Sequence, residues 1–134
     1  MKKENNNLLY ELHESDFIDF AIKNDMLIFR VAINCGVAEE LGIESDFAEK
    51  FYIYDIICHK YSLFESDYTE NMDLFLKEIL CFKQIENKYL FSIDLNFLDS
   101  VDFMFDCESI EWTPIELLTV DELYEIEEND YKIK

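Results

Sequence analysis

Between Val101 and Glu108 the chain alternates without a break, with Val101, Phe103, Phe105 and Cys107 on one side and Asp102, Met104, Asp106 and Glu108 on the other. Successive residues of a strand point to opposite faces, so this period-two run predicts a half-buried strand with a carboxylate outer face. A second run, Met26 to Ile33, sets Leu27, Phe29, Val31 and Ile33 against Met26, Ile28, Arg30 and Ala32. Phe17 to Ile22 precedes it across Lys23-Asn24-Asp25, and two β-rich runs joined by an Asn-Asp turn predict a hairpin.

Lys50 to Phe64 is dense in Tyr, Ile and Phe and predicts one long strand bent near His59. Its apolar residues occupy both faces, as in a central strand covered on both sides. Met72, Phe75, Leu76, Ile79 and Leu80 recur at helical spacing, so a short helix is expected from Tyr68 to about Lys77. A strand, Ile79 to Ile85, then enters the turn Glu86-Asn87-Lys88 and pairs with Tyr89 to Leu95. Val37, Ala38 and Leu41 form either a short helix ending at Gly42 or part of a loop. Trp112, before Thr113-Pro114, ends the last predicted strand. In the tail, Thr119 with Glu122 spells a capping box, and Leu118 with Leu123 a hydrophobic staple. The helix they start would turn Leu123 and Ile126 inward and Asp121, Glu122, Glu125 and Glu128 outward.

These elements make the expected fold α+β and β-rich, mainly an antiparallel sheet or sandwich with one or two short helices and a C-terminal helix. A chain of 134 residues fits a single domain, 1–134, with residues 1–7 a frayed polar start. Half of the residues are hydrophobic, enough for one core.

Charge narrows the function more than any motif does. There are 31 Asp and Glu against 11 Lys and Arg, a formal net charge of −20, and Arg30 is the one arginine. Direct binding of DNA or RNA needs a basic surface, and anionic membranes repel such a chain. A basic protein is attracted and steered toward it. From Tyr89 to Tyr131 thirteen acids run without an intervening Lys or Arg. An acid-rich surface also keeps a protein soluble, which is the plainer explanation of the same residues.

Catalytic and cofactor signatures are missing. Gly36 and Gly42 are the only glycines, which excludes the phosphate-cradling loops and the nucleophile elbow. His13 and His59 are the only histidines, and adjacent Cys58 and His59 would point to opposite faces of a strand. His13-Glu14-Ser15-Asp16 holds triad residue types, but too close in sequence to converge in space. The carboxylates lack the calcium-loop pattern with its central glycine. No enzyme activity, metal or cofactor is therefore expected. Cys35, Cys58, Cys81 and Cys107 form no CxxC pair, and with a polar start and no apolar run near membrane length they read as free thiols of a cytoplasmic protein.

Leu12-His13-Glu14-Ser15-Asp16-Phe17-Ile18, followed by Lys23-Asn24-Asp25-Met26-Leu27-Ile28-Phe29, resembles the opening of a group of small bacterial β proteins. In that group a Leu-His-Asp-Ser stretch starts a first hairpin that an Asn-Asp-x-Leu turn closes; here Glu14 stands where Asp is expected. Phe103 to Trp112 resembles the closing strand of the same group. Several members are similar to immunity proteins of polymorphic toxin systems. The resemblance covers about a quarter of the chain and implies a β-sandwich-like fold without fixing a target.

The expected function is thus a small acidic inhibitory protein, of the immunity or phage-antagonist kind. It would dock on a basic nucleic-acid-processing protein, such as a nuclease toxin or nuclease effector, with carboxylates in places made for phosphates. Asp102, Asp106, Glu108, Glu111, Trp112, Asp121, Glu122, Glu125 and Glu128 are the expected partner-binding residues, Trp112 as an anchor among acids. For Trp112 the plainer reading is a core or rim residue. The competing function is a structural or oligomeric module, a homodimer for instance, with a solvated acidic surface and no inhibitory role.

Overall fold

A computed structural model describes residue 12 and residues 14–34, 50–96 and 99–134. The expected frayed start, His13, and the segment through Val37, Ala38 and Leu41 lie outside the described residues. Among the described residues, eight strands form two four-stranded antiparallel sheets. They are β1 (Asp16–Lys23), β2 (Met26–Asn34), β3 (Lys50–His59), β4 (Ser62–Ser66), β5 (Ile79–Ile85), β6 (Lys88–Asn96), β7 (Asp99–Asp106) and β8 (Ser109–Thr119). A short helix, α1 (Val120–Leu123), and a 3-10 turn, Glu128–Tyr131, follow. The first sheet runs β1-β2-β3-β8 and the second β4-β7-β6-β5. The β-rich expectation holds.

The alternating runs meet between the sheets. Phe29 of β2 stacks on Phe91 of β6 at 4.2 Å between ring centroids and 9° between planes. Phe103 of β7 presents its edge to Phe29 at 5.2 Å. All three are fully buried, and removing each from water stabilises the fold by about 1.5–3 kcal/mol. The first sheet is covered on its other face too. There Ile18, Ala32, Phe51, Ile53 and Leu118 pack with Leu123 of α1. Two-sided burial of β3, which lies between β2 and β8, accounts for the apolar residues on both faces of that segment.

Three expectations change in detail. The long strand expected from Lys50 to Phe64 is two strands in different sheets. At Lys60 the backbone turns left-handed (φ 55°), and the chain leaves β3 for β4. Its antiparallel partner makes the same passage from β7 to β8, with the Glu108 amide donating to the His59 carbonyl at 2.9 Å.

The helix expected from Tyr68 to Lys77 is a pair of turns. Leu74 enters the core between the sheets, while Phe75 and Leu76 pack on the outer cluster of the first sheet. One helical stripe cannot serve two faces. The edge of β1 takes up the backbone instead: Phe17 N–H donates to Lys77 O at 2.8 Å, and Leu76 N–H to Phe17 O at 2.7 Å.

The last strand does not end at Trp112 but continues through Pro114 to Thr119. A proline has no N–H to give a neighbour, and β8 tolerates it because it is the edge strand of its sheet.

Candidate partner-binding groove

The continuation of β8 places the carboxylates that matter most. Thr119 stands between β8 and α1, and its hydroxyl accepts from Glu122 N–H at 3.1 Å. Glu122 Oε1 reciprocally accepts from Thr119 N–H at 2.9 Å. This capping box stops the strand and turns the chain back over the outer face of its own sheet, where Leu123 is buried and Ile126 packs.

The turned segment and β8 enclose an open groove of about 440 Å³, lined by Glu116, Glu122, Glu125, Ile126, Asp130 and Tyr131. Four of the six are acids and none is basic. The Tyr131 hydroxyl donates to Glu116. Burial first, then that bond and the charges of Glu116, Asp130 and Glu122, push the phenol pKa up to about 12, so it stays protonated and donating.

Arg30 holds the far wall. Its Nη1 donates to the carbonyls of Tyr131 at 2.9 Å and Lys132 at 3.5 Å, while Asp19 Oδ2 accepts from Ile133 N–H at 2.8 Å. The arginine adds little positive potential to the groove, because its guanidinium forks onto Asp55. That hydrogen bond raises the Arg30 pKa further, against the opposing effect of burial.

The expected partner-binding residues do not share one surface. Glu122 and Glu125 line the groove; Asp121, beside them on α1, and Glu128, at the start of the 3-10 turn, are exposed on the same C-terminal segment. Asp102 and Asp106 lie on the outer face of the second sheet, because Val101, Phe103 and Phe105 take the inward positions of β7. Asp102 is also engaged locally, accepting from the Ser92 hydroxyl at 2.6 Å and the Ser100 hydroxyl at 3.1 Å. Asp106 accepts from Cys107 N–H at 2.8 Å.

Glu108 sits at the passage between sheets, 3.7 Å from Lys60 Nζ, and both side chains are exposed. Glu111 lies on the outer face of β8, with Oε1 2.8 Å from His59 Nε2 and Oε2 accepting from Thr113. These bonds, His59 first, hold its carboxyl below the usual range. Trp112 points inward and meets Tyr54 edge-on at 6.3 Å, a half-buried rim position. A run of acids continuous in sequence is therefore divided between opposite sides of the sandwich, because β7 and β8 belong to different sheets.

Glu116, Asp130 and Tyr131 were not among the expected binding residues. Glu116 falls beyond the position where the last strand was expected to stop, and the tail after Glu128 carries no periodic signal. Ile115 and Leu117, continuing the β-rich pattern past Pro114, were the available clue.

Among the described residues, no group of three or more His, Cys, Asp or Glu is arranged to hold a metal ion. No described helix is long and apolar enough to cross a membrane. Cys58 is buried in the core with its thiol against that of Cys107, and burial pushes its pKa up, which suits a packing role more than a nucleophilic one. No family model matches the chain, nor does any curated protein or solved structure.

Proposed function

We propose that the chain is a small acidic binding protein that docks on a basic, nucleic-acid-processing protein and blocks it, in the manner of an immunity protein or antagonist. The observation that carries this reading is the groove of Glu116, Glu122, Glu125 and Asp130, with no lysine or arginine among its described lining residues and the nearby Arg30 engaged by Asp55. Lysine or arginine side chains that would otherwise neutralise phosphates fit such a place, and their occupation by carboxylates would exclude nucleic acid. The net charge of −20 would speed the encounter and make it sensitive to salt. The interface would be centred on the C-terminal segment, with Asp121 and Glu128 flanking the groove and Asp102 and Asp106 outside it.

The test is capture from the native host with the chain as bait, followed by assay of the captured protein on nucleic acid. A basic protein whose activity the native chain suppresses supports the reading. The Glu125 side chain forms no hydrogen bond or ion pair among the described residues, so Glu125→Lys should abolish capture and suppression without unfolding the chain. Full suppression by that variant defeats the proposal.

A second reading has its own observation. β8 is a sheet-edge strand on which Ile115 and Leu117 are 42% and 40% exposed. Such an edge suits pairing with a second copy, as in an oligomeric module. Mass measured by light scattering across a concentration series distinguishes a dimer from a monomer.

A further inference from the structure

A second cavity opens on the seam between the edge strands β1 and β4, with a volume of about 480 Å³, lined by Phe20, Ala21, Ile22, Phe64, Ser66, Tyr68 and Glu70. Its walls are aromatic. The rings of Phe20 and Phe64 are parallel to within 7° at 6.0 Å, and Tyr68 stands at 73° to Phe20 at 5.7 Å. All three remain partly open to solvent, although Phe20 is also held from behind by Phe103 at 4.7 Å.

The rim is anionic. Burial raises the Tyr68 phenol pKa, and the charges of Asp19, Glu70 and Glu128 raise it further. The phenol makes no hydrogen bond among the described residues, and neither does the Glu70 side chain. Glu128, exposed at the start of the 3-10 turn, is near enough for its charge to act on that phenol.

The combination selects among occupants. A neutral apolar group would strip water from the carboxylates without replacing their partners. An anion would be repelled. A cation satisfies both parts, drawn to the ring faces and to the carboxylates together. Guanidinium suits it better than ammonium, being planar, able to stack on an aromatic face and less strongly hydrated.

We propose that the Phe20–Phe64–Tyr68 cavity receives an arginine side chain of the basic partner, with Glu70 as its counter-charge. This rests on the reading that the partner is basic, and adds a second point of contact, chosen by shape as well as charge.

The probe is nona-arginine, titrated calorimetrically into the native chain and four variants at about 50 mM salt. Tyr68→Leu and Phe64→Leu remove rings without altering charge, so simple attraction between opposite charges leaves them unaffected. Each should weaken binding about fivefold, and the Ile22 methyl signal of the native chain should shift on titration. Glu70→Gln, in an exposed turn, should weaken it similarly and covers the case in which a ring-less variant does not fold. Glu125→Gln reports on the groove separately. Pocket variants that bind like the native chain, while Glu125→Gln binds less well, overturn the cavity proposal and leave the groove reading standing. Weakening confined to the pocket variants supports the cavity and counts against the groove. A native chain that takes up no nona-arginine overturns both.

Discussion

Arg30 and Asp55 face each other across the β2–β3 ladder and join at two points, Nε to Oδ1 at 2.7 Å and Nη2 to Oδ2 at 2.9 Å. Their side chains are 15% and 12% exposed, so neither charge is well solvated. The same guanidinium ties down the carbonyls of Tyr131 and Lys132, and a part-buried ion pair thereby anchors the wall of an acidic groove.

Arg30→Met should therefore act at two levels. Leaving Asp55 charged and unpartnered costs about 3–5 kcal/mol, to be read from urea unfolding at neutral pH. Arg30→Met combined with Asp55→Leu should recover most of that loss, because the stranded charge is gone. The tail does not recover with it. Amide exchange of residues 128–133 should be fast in both variants, since the carbonyl anchors are missing from each.

The hairpin β1–β2, the alternating β7 and the capping box at Thr119 could be read from the sequence because each depends on neighbours along the chain. Lys60 could not. Its left-handed backbone sends β3 into a second sheet, yet the chain has a lysine there, with no glycine to announce a turn. The segment 68–77 misleads for a related reason. Its apolar spacing is helical, but the Leu76 amide and the Lys77 carbonyl are taken by the edge of β1, a partner some 60 residues distant. The groove inherits both limits. Its acids are countable in sequence, but whether Glu116 stands beside Asp130 or beside Asp102 depends on which sheet holds β8.

Asp16 should make stability fall as pH rises. It begins β1 and bridges to Glu78 at the seam between the sheets, and its carboxyl has no hydrogen bond among the described residues. Burial, with the charge of Glu78 adding to it, lifts its pKa from 3.8 to about 7. A folded-state pKa above the unfolded one means that the fold favours the protonated acid. Its contribution is fully present below about pH 4 and is lost progressively as the pH passes from 4 through 7. Asp16→Asn removes the ionisation. The variant should match the native chain near pH 4 and exceed it at pH 8 by about 1–2 kcal/mol, less than the full shift would carry because water reaches part of the carboxyl. Denaturant melts of both proteins across that interval check the sign; a difference that does not grow with pH refutes it.

Thr119→Ala should cost about 1 kcal/mol, the usual worth of a capping side chain. It leaves the Glu122 amide without the hydroxyl that accepts from it, while the Glu122 carboxylate can still accept from the backbone amide of residue 119. The four-residue α1 has little else to hold its first turn, so the amides of Glu122 and Leu123 should lose protection while those of β7 do not. Thr119→Ser keeps the accepting oxygen and should restore both stability and protection. If serine behaves like alanine, the threonine methyl rather than the cap is what matters.

Leu63 offers the opposite outcome, a substitution that stabilises. It lies in β4 at a break in the β4–β7 register, with φ at 56° and the residue 57% exposed. An L-residue with a Cβ pays roughly 1–2 kcal/mol in the left-handed region, and glycine pays almost none. Little packing is lost on removing a side chain that mostly faces water. Glycine does loosen the unfolded chain, which offsets part of the gain. Leu63→Gly should therefore raise stability by about 0.5–1 kcal/mol, seen as a higher urea midpoint at unchanged slope. Leu63→Ala keeps the Cβ and should bring no such gain. Equal midpoints for the two variants would locate the effect in the lost leucine side chain and not in the backbone.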